Sequence, residues 1–250
     1  MIIIGDSLIE LKKIKSKSVD FIFSDPPYFL SNNGISCQGG KMVSVNKGDW
    51  DRGGGFNNNV KFHRSWIKQC KRILKPNGSI AISGTYHSIY QCGFLLQKYG
   101  FKIINDICWF KPNGAPCLAC KNFTASHETI IWACKSNKSK HTFNYEIMKN
   151  WDVSKDLINH QGKQMRSVWA ISLTPQKEKT FGKHPTQKPV ELLKRFVSAA
   201  TKEGDTVLDP FMGSGTTGLV CKQLNRKFIG IELEKKFVKI AKSRIGEDNA

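Results

Sequence analysis

The sequence predicts an α/β fold: a doubly wound, mostly parallel sheet that carries one basic insertion. Three observations point there. Apolar runs such as Ile2-Ile3-Ile4, Phe21-Ile22-Phe23 and Phe228-Ile229-Gly230-Ile231 have the length and continuity of strands buried on both faces. Segments with apolar residues at helical spacing alternate with these runs, which argues helices on both sides of a parallel sheet. The 250 residues, 40% hydrophobic, suffice for one sizeable domain with an insertion, so residues 1–250 are read as a single domain.

In chain order, residues 2–4 read as a first strand that ends at Gly5-Asp6-Ser7. Leu8, Leu11 and Ile14 give residues 7–14 a helical spacing. The strand that starts at Val19 ends in Ser24-Asp25-Pro26-Pro27-Tyr28. Neither proline has an N–H to donate to a sheet, and each holds the residue before it extended. The chain therefore leaves the strand stiffly, with carbonyls that no local N–H can claim. Asp25 adds a carboxylate and Tyr28 a flat aromatic face, a combination suited to holding a planar group by an exocyclic amine.

Residues 29–59 have loop composition, with seven glycines and six asparagines. They are expected to form a flexible loop facing a nucleic acid, with Lys41, Lys47, Trp50 and Arg52 available for contacts. Residues 60–74 read as a helix stopped by Pro76-Asn77-Gly78, residues 79–83 as a strand, and residues 88–99 as a helix closed by Gly100. Residues 103–110 and 129–133 read as strands. Residues 135–183 break this rhythm. They hold ten Lys/Arg and four Asp/Glu, hence 10 − 4 = +6, with Phe143, Tyr145, Trp151 and Trp169 interleaved. Base plus aromatic is the composition of a nucleic-acid surface. After His184-Pro185-Thr186-Gln187-Lys188-Pro189 the rhythm returns. A helix is expected over 190–201, a strand over 206–209, a turn over 210–215, a helix over 216–224, a strand over 228–231 and a helix over 234–245.

The charge balance narrows the partner. Lys+Arg number 39 against 20 Asp+Glu, a net charge of +19, which points to a polyanion. No apolar run reaches membrane-spanning length, and the first residues are too short for a signal peptide before they meet Asp6, so a cytoplasmic protein is expected. The eight cysteines then read as reduced thiols. Cys117 and Cys120 supply one close pair where a structural zinc site usually needs two, so no metal is expected.

Near the end of the chain, Gly213-Ser214-Gly215-Thr216-Thr217-Gly218 fits the pattern G-x-G-x-x-G between a strand and a helix. Glu232, at the end of the next strand, is placed to accept hydrogen bonds from ribose hydroxyls. Taken alone this is a dinucleotide site, and a nicotinamide dehydrogenase is its simplest reading. That reading leaves Asp25–Tyr28 and the charge of +19 unexplained. In a parallel sheet the carboxyl ends share one edge, so a cofactor on the glycine turn can face an amine held at Asp25.

With Asp25-Pro26-Pro27-Tyr28 first, His184–Pro189 after the basic insertion and Asp209-Pro210-Phe211-Met212-Gly213-Ser214-Gly215-Thr216-Thr217 last, the chain resembles the β class of DNA amino methyltransferases. Phe29-Leu30-Ser31-Asn32, Lys41-Met42-Val43-Ser44-Val45, Gly48-Asp49-Trp50-Asp51 and Gly162-Lys163-Gln164-Met165 are similar to the second adenine methyltransferase of GATC-specific restriction systems. The resemblance implies a Rossmann-like methyltransferase fold, circularly permuted, in which residues 135–183 are the target-recognition insertion. It implies S-adenosylmethionine as cofactor, held by Asp6, Ser7, Asp25, His184, Thr186, Asp209, Phe211, Gly213, Ser214, Gly215, Thr216 and Glu232. Lys188 is divided evenly between the cofactor carboxylate and a helix carbonyl. The implied reaction is methylation of the N6 amine of a flipped-out adenine, with Asp25, Pro26, Pro27 and Tyr28 as the catalytic clamp and Tyr28 as the stacking platform. DNA is expected on Lys41, Lys47, Arg52, Lys163 and Arg166, with a homodimer left open. Cytosine-N4 methylation and RNA or protein-glutamine methylation are the alternatives; Asp at position 25 favours adenine.

Overall fold

The computed structural model describes residues 1–31, 35–38, 41–44, 48–118 and 120–246, with the backbone alone for 35–38 and 41–44. Its strands are β1 (Ile2–Ile4), β2 (Val19–Ser24), β3 (Ile35–Gln38), β4 (Lys41–Ser44), β5 (Leu74–Gly84), β6 (Lys102–Phe110), β7 (His127–Cys134), β8 (Val168–Ala170), β9 (Thr206–Asp209) and β10 (Lys227–Glu232). Its helices are α1 (Ser7–Lys13), α2 (Phe56–Ile73), α3 (Ile89–Lys98), α4 (Tyr145–Lys149), α5 (Val190–Ala200), α6 (Thr216–Gln223) and α7 (Lys235–Ile245). Eight strands form one sheet in the order β1-β10-β9-β2-β5-β7-β6-β8, and β3 pairs with β4 in a separate hairpin. Within the large sheet, β7 alone runs against its neighbours. The mostly parallel, doubly wound sheet expected from the sequence is therefore what forms. The last two strands of the chain sit between the first two, as the permuted order requires.

Alternation along each strand divides the core. Ile22, Ile80, Ile82 and Leu208 pack with Trp66, Ile67, Cys70 and Leu96 from α2 and α3 on one face. Phe21, Phe23, Ala81 and Val207 pack with Leu192, Phe196, Val220 and Cys221 from α5 and α6 on the other. Phe21 and Phe23 are fully buried, each contributing about 1.5–3 kcal/mol of apolar transfer. This division positions the site. The chain leaves β9 through α6 on one face toward β10, and leaves β2 toward α2 on the other face and β5. The connections diverge between β9 and β2, so a crevice opens at their carboxyl ends.

Three boundaries differ from the sequence reading. Helix α2 begins at Phe56, within the stretch expected to be loop. Asn58 Nδ2 donates to the Gly54 carbonyl and Asn59 Oδ1 accepts the Gly54 N–H, so asparagines that read as loop composition serve the helix start instead. Helix α2 stops at Ile73 rather than at Pro76, because Leu74 already pairs with Val19. Pro76-Asn77-Gly78 falls inside β5 at a register shift, where a missing N–H costs little. Residues 135–183 supply β8, which pairs in parallel with β6 at the sheet edge. Trp169 and Ile171 enter the core, and Asp156 forms a buried 2.8 Å ion pair with Arg195 of α5. Two of the four aromatics read as nucleic-acid surface thus serve the fold: Trp169 is buried, and Trp151 Nε1 donates to Glu191 at 2.9 Å. Phe143 and Tyr145 stay exposed. Among the described residues, no helix is long and apolar enough to cross a membrane.

Candidate active site

The chain after β2 is held by a carboxylate the sequence reading passed over. Asp51, buried, accepts the N–H groups of Tyr28 (3.0 Å), Phe29 (2.8 Å) and Leu30 (3.2 Å) and the Ser31 hydroxyl (2.9 Å). Those N–H groups leave a strand end where two prolines have removed the local ladder, so they need an acceptor from elsewhere. Phe29 takes a left-handed φ of 59°, a strained value for an aromatic residue that this anchor sustains. The only local signal was Asp51 within the Gly48–Asp51 segment.

Asp25 sits at the carboxyl end of β2 inside a cluster of side chains. Its Oδ1 accepts the Tyr28 hydroxyl at 2.6 Å and its Oδ2 accepts Lys188 Nζ at 2.5 Å. Lys188 Nζ also lies 3.6 Å from Glu128 and 5.3 Å above the Tyr28 ring. Burial pushes the Asp25 carboxyl above its ordinary pKa, with Lys188 opposing and Glu128 adding to the rise. Lys188 thus pairs with two carboxylates of the chain, not with the helix carbonyl that was one of its two expected partners. Tyr28 is 7% exposed and does not line the cleft, so its ring is no open platform; its hydroxyl is committed to Asp25 and its pKa is raised by burial, then by Asp25 and Glu128.

The glycine turn is shaped by main-chain contacts. Asp209 accepts Phe211 N–H at 3.1 Å and the Thr217 hydroxyl at 2.5 Å, closing the turn over the start of α6. Burial raises its carboxyl to about 7. Glu232 Oε2 accepts Gly213 N–H and its Oε1 accepts Glu234 N–H, both at 2.8 Å. Arg244 of α7, also buried, donates to the Ser214 carbonyl (2.8 Å), the Ser214 hydroxyl (2.9 Å) and the Thr216 hydroxyl (2.9 Å). Gly213 and Gly215 have φ of 54° and 75°. A Cβ at Gly215 would fall 2.7 Å from Ala241, so this glycine serves packing under α7 and does not line the cleft.

Between the two lies a cleft of about 980 Å³. Asp6, Ser7, Asp25, His184, Thr186, Asp209, Phe211, Gly213, Ser214, Thr216 and Glu232, all expected, line it together. Pro27 lines it as well, whereas Pro26 does not. Asp6 caps α1 through Leu8 N–H at 2.6 Å, and the Ser7 hydroxyl donates to the Pro210 carbonyl. His184 packs on Phe237 (4.1 Å between centroids) and lies near-parallel to Trp50 at 6.4 Å. Burial lowers its pKa to about 3, helped by Lys188, Arg244 and Lys236, so the ring is neutral. Trp50 lines this cleft, and Gln187 adds a buried Oε1 with no partner among the described residues.

Of the residues expected on DNA, Arg52, Lys163 and Arg166 have described side chains. Arg52 is exposed and pairs with Asp49 at 3.2 Å, two residues after Trp50. Lys163 and Arg166 are exposed, and Arg166 borders a second cleft between β6, β7, α4 and α5. Of Lys41 only the backbone, in β4, is described, and Lys47 lies outside the described residues.

The cleft fits a cofactor bearing a sulfonium and an ammonium. Four carboxylates (Asp6, Asp25, Asp209, Glu232) line it against one lysine, in a chain of net charge +19. The Gln187 acceptor is unmatched, and each Glu232 oxygen keeps a lone pair beyond the N–H it already holds. Comparison with known proteins agrees. The DNA methylase family matches residues 19–243. The chain is 52% identical over 246 residues to the Type II methyltransferase M2.DpnII of Streptococcus pneumoniae, covering 98% of this chain and 89% of that one. It is 53% identical over 244 residues to the Type II methyltransferase M2.LlaDCHI of Lactococcus lactis subsp. cremoris, covering 97% and 88%. The crystal structure of an M1.HpyAVI–SAM complex superposes with a TM-score of 0.71 at 32% identity over 98% of both chains. A buried aspartate clamp, a glycine turn and a carboxylate-lined cleft on this sheet, with these relatives, place the chain in the DNA methylase family, as an S-adenosylmethionine-dependent DNA methyltransferase.

Proposed function

We propose that the chain methylates the N6 amine of adenine within GATC as part of a restriction-modification system. What carries this reading is Asp25, a partly buried carboxylate at the end of β2 that shares one cleft with the glycine turn and Glu232. The segments around Asn32, Trp50 and Lys163 that resemble GATC-specific enzymes support the target, as does the similarity to two Type II methyltransferases.

S-adenosylmethionine supplies a methyl group on a positively charged sulfur, a good leaving group. Glu232 would hold ribose hydroxyls, and His184, Thr186 and Gln187 the amino-acid end; Phe211, edge-on to Trp66 at 5.5 Å, would wall the remainder. An aromatic amine is a weak nucleophile because its lone pair is delocalised into the ring. Asp25 and the Pro26 carbonyl would accept its two N–H groups, favouring a tetrahedral nitrogen with an available lone pair. Holding nitrogen and methyl in line supplies much of the acceleration. The base must leave the duplex to reach Asp25. Because Tyr28 is buried, stacking on it would require the Tyr28 hydroxyl to loosen its contacts or the ring to turn. Residues 29–59 and 135–183 would face the DNA. A cytoplasmic location and a homodimer complete the proposal, the latter tested by sedimentation.

The deciding assay is methylation with tritiated S-adenosylmethionine on DNAs with and without GATC, followed by nucleoside analysis. Label in N6-methyladenine on GATC DNA alone is expected. Label in N4-methylcytosine would overturn the adenine assignment, and label at other sequences the target.

A further inference from the structure

Glu128 is a largely buried carboxylate, 12% exposed, that lies outside every motif. It stands on β7, and because that strand is reversed, its first residues reach the same sheet edge as the end of β5, where Thr129 pairs with Gly84. Glu128 Oε1 accepts Lys111 at 3.3 Å. Its Oε2 contacts the Tyr28 hydroxyl at 3.0 Å and the Ser83 hydroxyl at 3.3 Å, and lies 3.6 Å from Lys188 Nζ. The same Tyr28 hydroxyl and the same Lys188 ammonium bind Asp25 at 2.6 and 2.5 Å. Two carboxylates thus share one ammonium and one hydroxyl, and whatever one gains the other gives up.

We propose that Glu128 is a positioning residue for methyl transfer: it takes Lys188 and the Tyr28 hydroxyl over from Asp25 when the target amine arrives. The proposal rests on the reading of Asp25 as the acceptor for that amine. Lys188 is buried, and an ammonium drawn off its only carboxylate would be left uncompensated, at a high cost. With Glu128 beside it, Lys188 exchanges one carboxylate for another without leaving the cluster. Asp25 is then released to accept the amine N–H. After transfer, the N–H bond of the methylated amine breaks, its electron pair stays on nitrogen, and the proton bonds to an Asp25 oxygen before passing to water. The charges fit this division. Burial works to raise Glu128, but Lys188 and Lys111 overcome it and keep the group ionised, while Asp25 is raised and so is the one placed to take a proton.

Single-turnover methylation from pH 5 to 9 tests the role, with cofactor affinity and melting temperature measured alongside. Glu128→Gln is expected to lower the plateau about 10–100-fold, with cofactor affinity within about threefold. Its acid limb is expected to move to lower pH, because the negative charge that raises Asp25 is gone. Glu128→Asp should keep the limb and recover much of the plateau. Lys111→Met, which keeps Glu128 but removes a cation, should move the limb the opposite way and guards against a Glu128→Gln chain that fails to fold. In the protein labelled with ¹³C at aspartate side chains, free of cofactor and DNA, the Asp25 resonance should titrate lower in Glu128→Gln than in wild type. A Glu128→Gln plateau and limb equal to wild type would overturn the proposal, as would a fallen plateau with an unmoved limb and no recovery in Glu128→Asp. Wild-type turnover by Asp25→Ala, by contrast, would overturn the reading of Asp25 itself.

Discussion

The two walls of the cleft are built from different materials. On the β9–β10 side the backbone does the shaping. Gly213 and Gly215 adopt left-handed φ, and Asp209, Glu232 and Arg244 hold the turn largely by its own N–H and C=O groups. On the β2 side, side chains shape the wall: Asp25, Tyr28, Ser83, Lys111, Glu128 and Lys188 converge from separate parts of the chain and satisfy one another. A backbone-built wall is specified by a short contiguous motif. A wall of buried charges depends on balance, so one substitution there leaves partners uncompensated.

The sharpest way to test that difference is Asp25→Ala. Turnover should fall about a thousandfold or more while DNA affinity changes little, read by single-turnover kinetics and filter binding. Retained turnover would mean that the charge-built wall is only structural. Next comes Arg244→Met, which removes three hydrogen bonds from the turn. Cofactor affinity should drop about tenfold, and stability by about 1–3 kcal/mol, in calorimetry and urea unfolding. Unchanged affinity would show that the glycines alone hold the turn.

Asp209 links the two walls to pH. Its folded pKa of about 7 stands above the ordinary 3.8, so the neutral form is favoured by folding. Its contribution to stability is fully present below the ordinary value and is lost as pH rises through about 7. Asp209→Asn cannot ionise, so its stability relative to wild type should improve between pH 5 and 8 by about 1–3 kcal/mol. Parallel melting curves across that range would refute it. The smallest effect is expected outside both walls. Lys163→Ala with Arg166→Ala should reduce the salt slope of DNA binding by about one to two. An unchanged slope would take that segment off the DNA.

Legibility in the sequence follows the same division. The strand–helix rhythm, the three motifs and most cleft-lining residues were readable, because a strand end with two prolines and a glycine turn leave local signatures. Asp51, Glu128 and Lys111 were not, since each acts across 17 to 100 residues of chain with nothing distinctive beside it. Lys188 was noticed within its motif, but its contacts with Asp25 and Glu128 were not legible, for the same reason. Trp50 was assigned to DNA because an aromatic in a glycine-rich stretch carries no sign of the ring it will face. Residues 135–183 were read as surface from composition, which does not tell an exposed aromatic from Trp169, buried as part of β8.

That last segment bears on how new specificities could arise. Strand β8, the Asp156–Arg195 pair and Trp151 on Glu191 all fasten the segment to the catalytic body. Arg195 belongs to α5, outside the exchanged stretch, so a chimera that imports a foreign segment without a carboxylate at position 156 would leave its buried guanidinium with Glu191 alone as carboxylate partner. Diversification should therefore proceed between the fastenings, in the exposed run from His160 to Gln164, with the anchors inherited intact.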